Sequence, residues 1–223
     1  MYIVNRLAQE TSNATEHVRN AVTNVFRYLK ATRTQALVLG SVTDRPYEVY
    51  VDASHGQETK SRSRSGMLVK VFGASIHWST NIQKIQALST AEAELNALTN
   101  AMEELAWINP LVDEFGIKSK PVIHEDNQAV LSMIEKPRTK KYKLRADFVK
   151  DRLDGGEVSC LSYKPTNEQA ADALTKVIGK DAPRLLGLMD RSSFCHPGVL
   201  MLAYWSSASQ AHSSTSDARH HSD

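Results

Sequence analysis

Two cysteines, Cys160 and Cys195, stand among 223 residues. That is too few for a disulfide framework or a cysteine-based zinc site, so a reducing compartment is the default. No apolar run approaches the roughly 18–20 residues of a membrane span, which excludes a membrane-spanning helix and makes a membrane partner unexpected. The start, MYIVNRLAQETSN, lacks a basic flank followed by a long apolar stretch. A secreted product is therefore not expected, and the expected location is the cytoplasm. Gly-rich phosphate loops, metalloprotease helices, Cys/His metal spacings and internal repeats are all missing. Neither sign of charge dominates: 27 Lys and Arg face 25 Asp and Glu, a formal net charge of +2. The total decides little, so the placement of charge has to carry the argument. What is plentiful is apolar side chain, at 41%, enough for a buried core and against wholesale disorder.

Along the chain, residues 1–14 carry little pattern. Residues 15–31 read as an amphipathic helix, with Val18, Ala21, Val22, Val25, Phe26 and Leu29 at helical spacing and Glu16 near the start. Residues 33–46 read as a connection ending near Pro46. From Tyr47 the period changes. EVYVDAS, GMLVKVFG and ASIHWST are short runs rich in β-formers, the last two separated at Gly73, and they predict antiparallel strands. A helix follows over about 90–106, with Ser89 as its cap and Leu95, Leu98, Met102 and Leu105 on one face. PVIHED predicts a strand, NQAVLSMI a short helix, residues 139–153 a helix stopped by Gly155 and Gly156, EVSCLSY a fifth strand, and residues 167–178 a last helix. The order β-β-β-α-β-α-α-β-α implies a mixed sheet with helices against it. Three regions are expected: 1–46 as a partly helical lead-in, 47–190 as the folded domain, and 191–223 as a disordered tail. That tail holds nine serines and four of the eight histidines.

Four acids sit where globular domains rarely put them. Asp52 interrupts Val49, Tyr50 and Val51 in the first strand. Glu94 begins the long helix beside its apolar face. Asp126 ends the fourth strand, and Asp172 lies in the first turns of the last helix. Carboxylates brought together out of water repel one another and lose hydration, and a divalent cation compensates both. Oxygen-only ligands suit magnesium or manganese. Taken alone, Asp126 reads more readily as a helix cap. The four together, on elements expected to converge, read as a metal site.

Six runs then carry a resemblance. They are YVDAS (50–54), SRSRSG (61–66), IHWSTNIQKIQALSTAEAELNAL (76–98), IHEDNQAV (123–130), RTKKYKLRADFV (138–149) and PTNEQAADALTK (165–176). In this order they resemble the ribonuclease H domain of copia-type (pseudovirus) retrotransposon Pol polyproteins. Residues 15–40 resemble the segment joining a reverse transcriptase thumb to that domain. YVDA at 50–53 also looks like the polymerase YVDD box, but Ala53 replaces the second aspartate and TAEAEL and HEDNQ follow as in ribonuclease H.

The resemblance implies an α/β, ribonuclease H-like fold with a five-stranded mixed sheet and helices on its faces. It implies hydrolysis of the RNA strand of an RNA–DNA hybrid, leaving 3′-hydroxyl and 5′-phosphate ends. Asp52, Glu94, Asp126 and Asp172 match the family's acids that hold two Mg2+ ions, with Mn2+ able to substitute. It further implies a reverse transcriptase upstream in the same polyprotein and a location in the cytoplasm, within virus-like particles. The chain departs from the pattern in three places. The link KPTNEQ has no histidine, so a histidine proton shuttle is not expected. RTKKYK stands where RTKHID is common, and Asp147 stands where a histidine often precedes the Phe-Val pair. A catalytically silent, nucleic-acid-binding or connection domain from a decayed or host-adopted element is the alternative reading.

Residues 136–152 concentrate eight Lys and Arg against Asp147 and Asp151. Arg138, Lys140, Lys141 and Lys143 are the expected phosphate contacts, extended by Arg62 and Lys84, with Lys60 and Arg64 nearby. A solvated helix face is the other reading of such a run. Asn127 and Gln128 are placed to bond the sugar edge, where the 2′-hydroxyl marks RNA. Helix capping is an equal alternative for them. Trp78, Trp107 and Phe148 are expected in the core, and His55, His77 and His124 as ordinary partly buried histidines.

Overall fold

The computed structural model describes residues 1–34, 45–137 and 139–176. The tail over 191–223, the end of the expected last helix, most of the expected connection and Arg138 lie outside the described residues.

Three strands form first. β1 (Tyr47–Glu58) pairs antiparallel with β2 (Arg62–Val71), and β2 pairs antiparallel with β3 (Ala74–Ile82). The β1–β2 connection turns through Lys60 and Ser61, both at positive φ. β4 (Val122–Glu125) and β5 (Cys160–Tyr163) then add in parallel to the other side of β1, giving the order β3-β2-β1-β4-β5. This is the mixed five-stranded sheet expected from the sequence.

Alternation along β1 sorts its side chains onto two faces. Val49, Val51 and Ala53 join the main core with Leu95, Leu98, Met102 and Leu105 of α3 (Thr90–Glu114), all buried. Tyr50 and Leu68 lie in a second cluster with Ala170, Ala171 and Leu174, the last at α6 (Asp172–Thr175). α4 (Gln128–Glu135) and α5 (Lys140–Asp154) pack beside α3 through Val130, Ile134 and Val149. α3 runs well past its expected end at residue 106, straight through Pro110. A proline removes one helical N–H, and here burial of Ile108 and Val112 holds the helix together around that loss.

The N-terminal part differs most from expectation. Residues 2–9 form a helix, α1 (Tyr2–Gln9), anchored by contacts far away in sequence. Arg6 donates to Glu58 Oε2 at 2.7 Å, and Arg64 Nη1 donates to Asn5 Oδ1 at 2.6 Å. Arg64 is fully buried, with its Nε on Glu58 Oε1 at 2.7 Å and its Nη1 also on Thr80 Oγ1 at 3.1 Å. It is therefore a core residue, not part of a phosphate track. α2 (Glu16–Ala31) starts where expected, capped by Thr15, but only Ala21 is buried. Phe26 and Leu29 of its apolar stripe are exposed.

Candidate metal centre

Each acid owes its place to a different element. Asp52 sits in β1, 1% exposed, directly across from Gly66 of β2. Glu94 lies in the first turns of α3, whose Ser89 cap accepts from the Glu92 amide at 3.2 Å. Asp126 follows the last residue of β4, and Asp172 opens α6. One oxygen each of Asp52, Asp126 and Asp172 lie within 4.8 Å of one another, and so do one oxygen each of Glu94, Glu125 and Asp126. Asp126 is common to both sets. The four sequence-expected acids thus fall into two sets that share Asp126, and the structure adds a fifth carboxyl, Glu125, which is fully buried.

The donors are all oxygens, as a hard divalent cation requires. Two of them, Glu94 Oε2 and Glu125 Oε2, are buried with no hydrogen-bond partner among the described residues. An orphaned buried carboxylate oxygen is costly in the protein alone, so this donor set fits a cation. The Asp52 side is better neutralised. Lys176 Nζ lies 2.6 Å from Asp172 Oδ1 and 3.4 Å from Asp52 Oδ1, and the Thr175 hydroxyl donates to Asp52 Oδ2. Thr166 donates to Asp126 Oδ2 at 2.7 Å. The sequence pattern singled out neither Glu125 nor Lys176. Both lie beside matched acids or inside matched runs, but only the strand register and the α6 turn show where they point.

Burial raises the Asp52 carboxyl to about 6, with Asp172 and Asp126 adding to the rise and Lys176 and Thr175 opposing it. Burial pushes Glu125 to about 8, against the Asn127 amide and aided by Asp126 and Asp52. Burial and then Asp52, Glu125 and Asp126 hold Glu94 well above the carboxylate range. Groups raised on folding give stability that is complete below their ordinary pKa and is lost as pH rises through the folded value. Here the window is about 4 to 8. Below pH 6.5 His124, whose pKa burial lowers, works in the opposite direction. Above 6.5 the fall belongs mainly to the acids, and a bound divalent cation removes it by favouring the ionised forms. The melting-temperature gain from Mg2+ over chelator should therefore grow from pH 6.5 to 9. The lowered Met1 amine acts equally in both arms. A gain that stays flat contradicts the site.

The expected nucleic-acid residues lie on several surfaces. Arg62, Lys84, Gln128, Lys140, Lys141 and Lys143 are exposed, while Asn127 is half-buried. Asn127 Oδ1 accepts the Ala129 amide at 3.0 Å, so its oxygen caps α4. Lys141 pairs with the fully buried Glu92, and Lys143 with Asp147 at 2.7 Å. A cleft of about 580 Å³ opens between β3 and α3, lined by Gln83, Lys84, Asn96, Asn100, Trp107 and Arg145 among others. Gln83 ties it together, donating to Ser65 and the Ala93 carbonyl and accepting from Asn96. Trp107 and Trp78, expected in the core, are both exposed. His124 is buried and bonded to Glu48 at 2.9 Å, and His77 to Glu104 at 2.6 Å.

No family model matches the chain. Among curated proteins it is 32% identical over 167 residues to the "Retrovirus-related Pol polyprotein from transposon TNT 1-94" of Nicotiana tabacum, covering 72% of this chain and 12% of that protein. It is 31% identical over 188 residues to the Pol polyprotein from transposon RE2 of Arabidopsis thaliana, covering 81% of this chain and 13% of that protein. The chain is homologous to part of the copia-type Pol polyproteins. A Ty1 Gag-Pol polyprotein of Saccharomyces cerevisiae matches at 24% identity over 79% of the chain and 11% of that protein. The chain therefore spans only about an eighth of the length of its copia-type relatives. The sheet order, antiparallel on one side of β1 and parallel on the other, makes the fold ribonuclease H-like. Among solved structures, LC11-RNase H1 in complex with RNA/DNA hybrid aligns with a TM-score of 0.47 and 16% identity, over 58% of this chain and 93% of that one.

Proposed function

We propose that this chain is a metal-dependent endonuclease that hydrolyses the RNA strand of RNA–DNA hybrids, as part of a copia-type Pol polyprotein with a reverse transcriptase upstream. The observation that carries it is that Asp52, Glu94 and Asp172, from three elements, gather in two sets around a shared Asp126 at the end of β4, with buried carboxylate oxygens left over. These residues would hold two Mg2+ ions, or Mn2+. The ions would supply charge neutralisation and an activated water at the scissile phosphate. The protein's own work is positional: β1 fixes Asp52, α3 presents Glu94, and Thr166 orients Asp126. No histidine stands in the described residues between β5 and α6, so proton transfer on the leaving-group side falls to solvent. The cytoplasm, within virus-like particles, is the location that goes with this reading.

One observation favours the silent alternative: Lys176 already gives Asp52 and Asp172 a cation. The oxygens of Glu94 and Glu125 that have no hydrogen-bond partner among the described residues weigh against it. Cleavage of a labelled hybrid with Mg2+ tests the proposal, and cutting that persists in chelator would remove it.

Phosphate binding by the basic run is part of the same proposal, in a reduced form. A surface pair such as Lys143–Asp147 is worth little, so Lys143 remains available to phosphate together with Lys140. Lys141 instead answers a buried glutamate. Replacing Lys140 and Lys143 by alanine should weaken hybrid binding at all sequences and flatten the salt dependence by roughly 0.7–0.9 log units per lost contact. Lys141→Ala should mainly lower the melting temperature. An unchanged salt slope in the double variant would return this face of α5 to solvent.

A further inference from the structure

We propose that Glu125 is a fifth carboxylate of the centre, whose free Oε2 ligates a divalent cation held between Glu94 and Asp126; this rests on the metal-dependent reading above. The strand register decides where Glu125 points. Side chains alternate along β4, and Ile123 belongs to the core shared with α3. His124 turns to the opposite face, against Tyr50 and Glu48. Glu125 therefore returns to the α3 side, where Glu94 begins the helix. Asp126 lies just beyond the strand end and serves both groups of acids.

The two oxygens of Glu125 have different employment. Oε1 accepts the Asn127 amide at 3.1 Å, which fixes the turn into α4. Oε2 is buried and has no hydrogen-bond partner among the described residues, and Glu94 Oε2 is in the same condition. A turn-fixing acceptor needs only one oxygen and no charge, so a neutral amide would fill that job. The full carboxylate, placed within 4.8 Å of two others, is instead explained by a cation that the three share. Such a residue acts on the affinity of one ion and leaves the Asp52–Asp172 side alone.

The experiment compares wild type with Glu125→Gln in the full chain. It reads Mn2+ binding by calorimetry and by the electron paramagnetic resonance signal of free Mn2+, and melting in chelator. Glutamine keeps the Asn127 bond and removes the charge. The expected result is two Mn2+ ions in wild type. In the variant one site should be weakened at least about tenfold and the other unchanged, with a higher melting temperature in chelator. Wild-type Mn2+ binding in the variant overturns this proposal while leaving the metal-dependent reading standing. A variant that melts lower than wild type in chelator marks Glu125 as a structural acceptor and also overturns it. Wild type that binds no Mn2+ at millimolar concentration overturns both.

Discussion

Replacing Glu94 by glutamine should remove nearly all turnover of the proposed hybrid substrate and leave the melting temperature in chelator unchanged or higher. Replacing Glu92 by alanine should do the reverse. The two residues are two positions apart on α3, about 200° around the helix axis, so they cannot serve one site. Glu94 shares its position with Glu125 and Asp126. Removing its charge deprives the centre of a ligand and also relieves repulsion among buried carboxyls. Glu92 is equally buried but points elsewhere. Its Oε2 accepts the Leu88 amide at 3.1 Å, and its carboxylate pairs with Lys141. These partners hold its pKa below the usual range although burial works against them. Ser89 and Glu92 have the S-x-x-E spacing of a capping box, in which the glutamate would take up the Ser89 amide. The amide taken up belongs to Leu88, one residue earlier, while Ser89 accepts from the Glu92 amide as expected. Glu92→Ala strips both interactions and should cost on the order of 1–2 kcal/mol with most turnover retained. A dead Glu92 variant beside an active Glu94 variant would mean that α3 is turned the other way.

Gly66→Ala should disable the centre without touching a ligand. Gly66 lies across from Asp52 in the β1–β2 pair. A Cβ there would stand 2.7 Å from Thr175 Cγ2, 2.9 Å from Leu174 Cβ and 3.3 Å from the Ala171 carbonyl. The last two belong to the small cluster that seats α6 on the sheet. One methyl group therefore pushes α6 outward, and Asp172, Thr175 and Lys176 move with it. Overpacking of this kind costs about 1–3 kcal/mol. Turnover should fall further than stability explains, because Asp172 and Asp52 separate. Unfolding curves and hybrid cleavage at a temperature where both proteins are folded measure the two effects. Wild-type turnover in Gly66→Ala would show that α6 does not depend on this close approach.

The acids differ in how far the sequence alone reveals them. Asp52 was legible because an acid among Val49, Tyr50 and Val51 breaks a strand pattern, and Glu94 because it borders an apolar helical face. Glu125 was not. Beside Asp126 it looks like one more polar residue at a strand end, and only the register of a four-residue strand turns it inward. α1 was hidden for a related reason. Its partners Glu58 and Arg64 lie some fifty residues away, beyond any local window. The run of α3 through Pro110 went unread because proline is a stop signal until tertiary burial outweighs it. Residue type alone puts Trp107 in the core, yet it is exposed and borders the cleft between β3 and α3. The mixed five-stranded sheet is legible from short β-rich runs and their sequence, whereas the order that sets β4 beside β1, pairing Tyr50 with His124, depends on a contact far along the chain.

The most direct test is cleavage of a hybrid labelled on either strand, by the full chain, with Mg2+ and with chelator, beside Asp126→Asn. Asp126 is the acid common to both groups of oxygens, so its loss should be felt by the whole centre. The expected result is cutting of the RNA strand alone, requiring Mg2+, with the Asn variant folded and at least roughly a hundredfold slower. RNA cleavage undiminished in the Asn variant, or no cleavage by wild type that binds the hybrid in Mg2+, would contradict the proposed function.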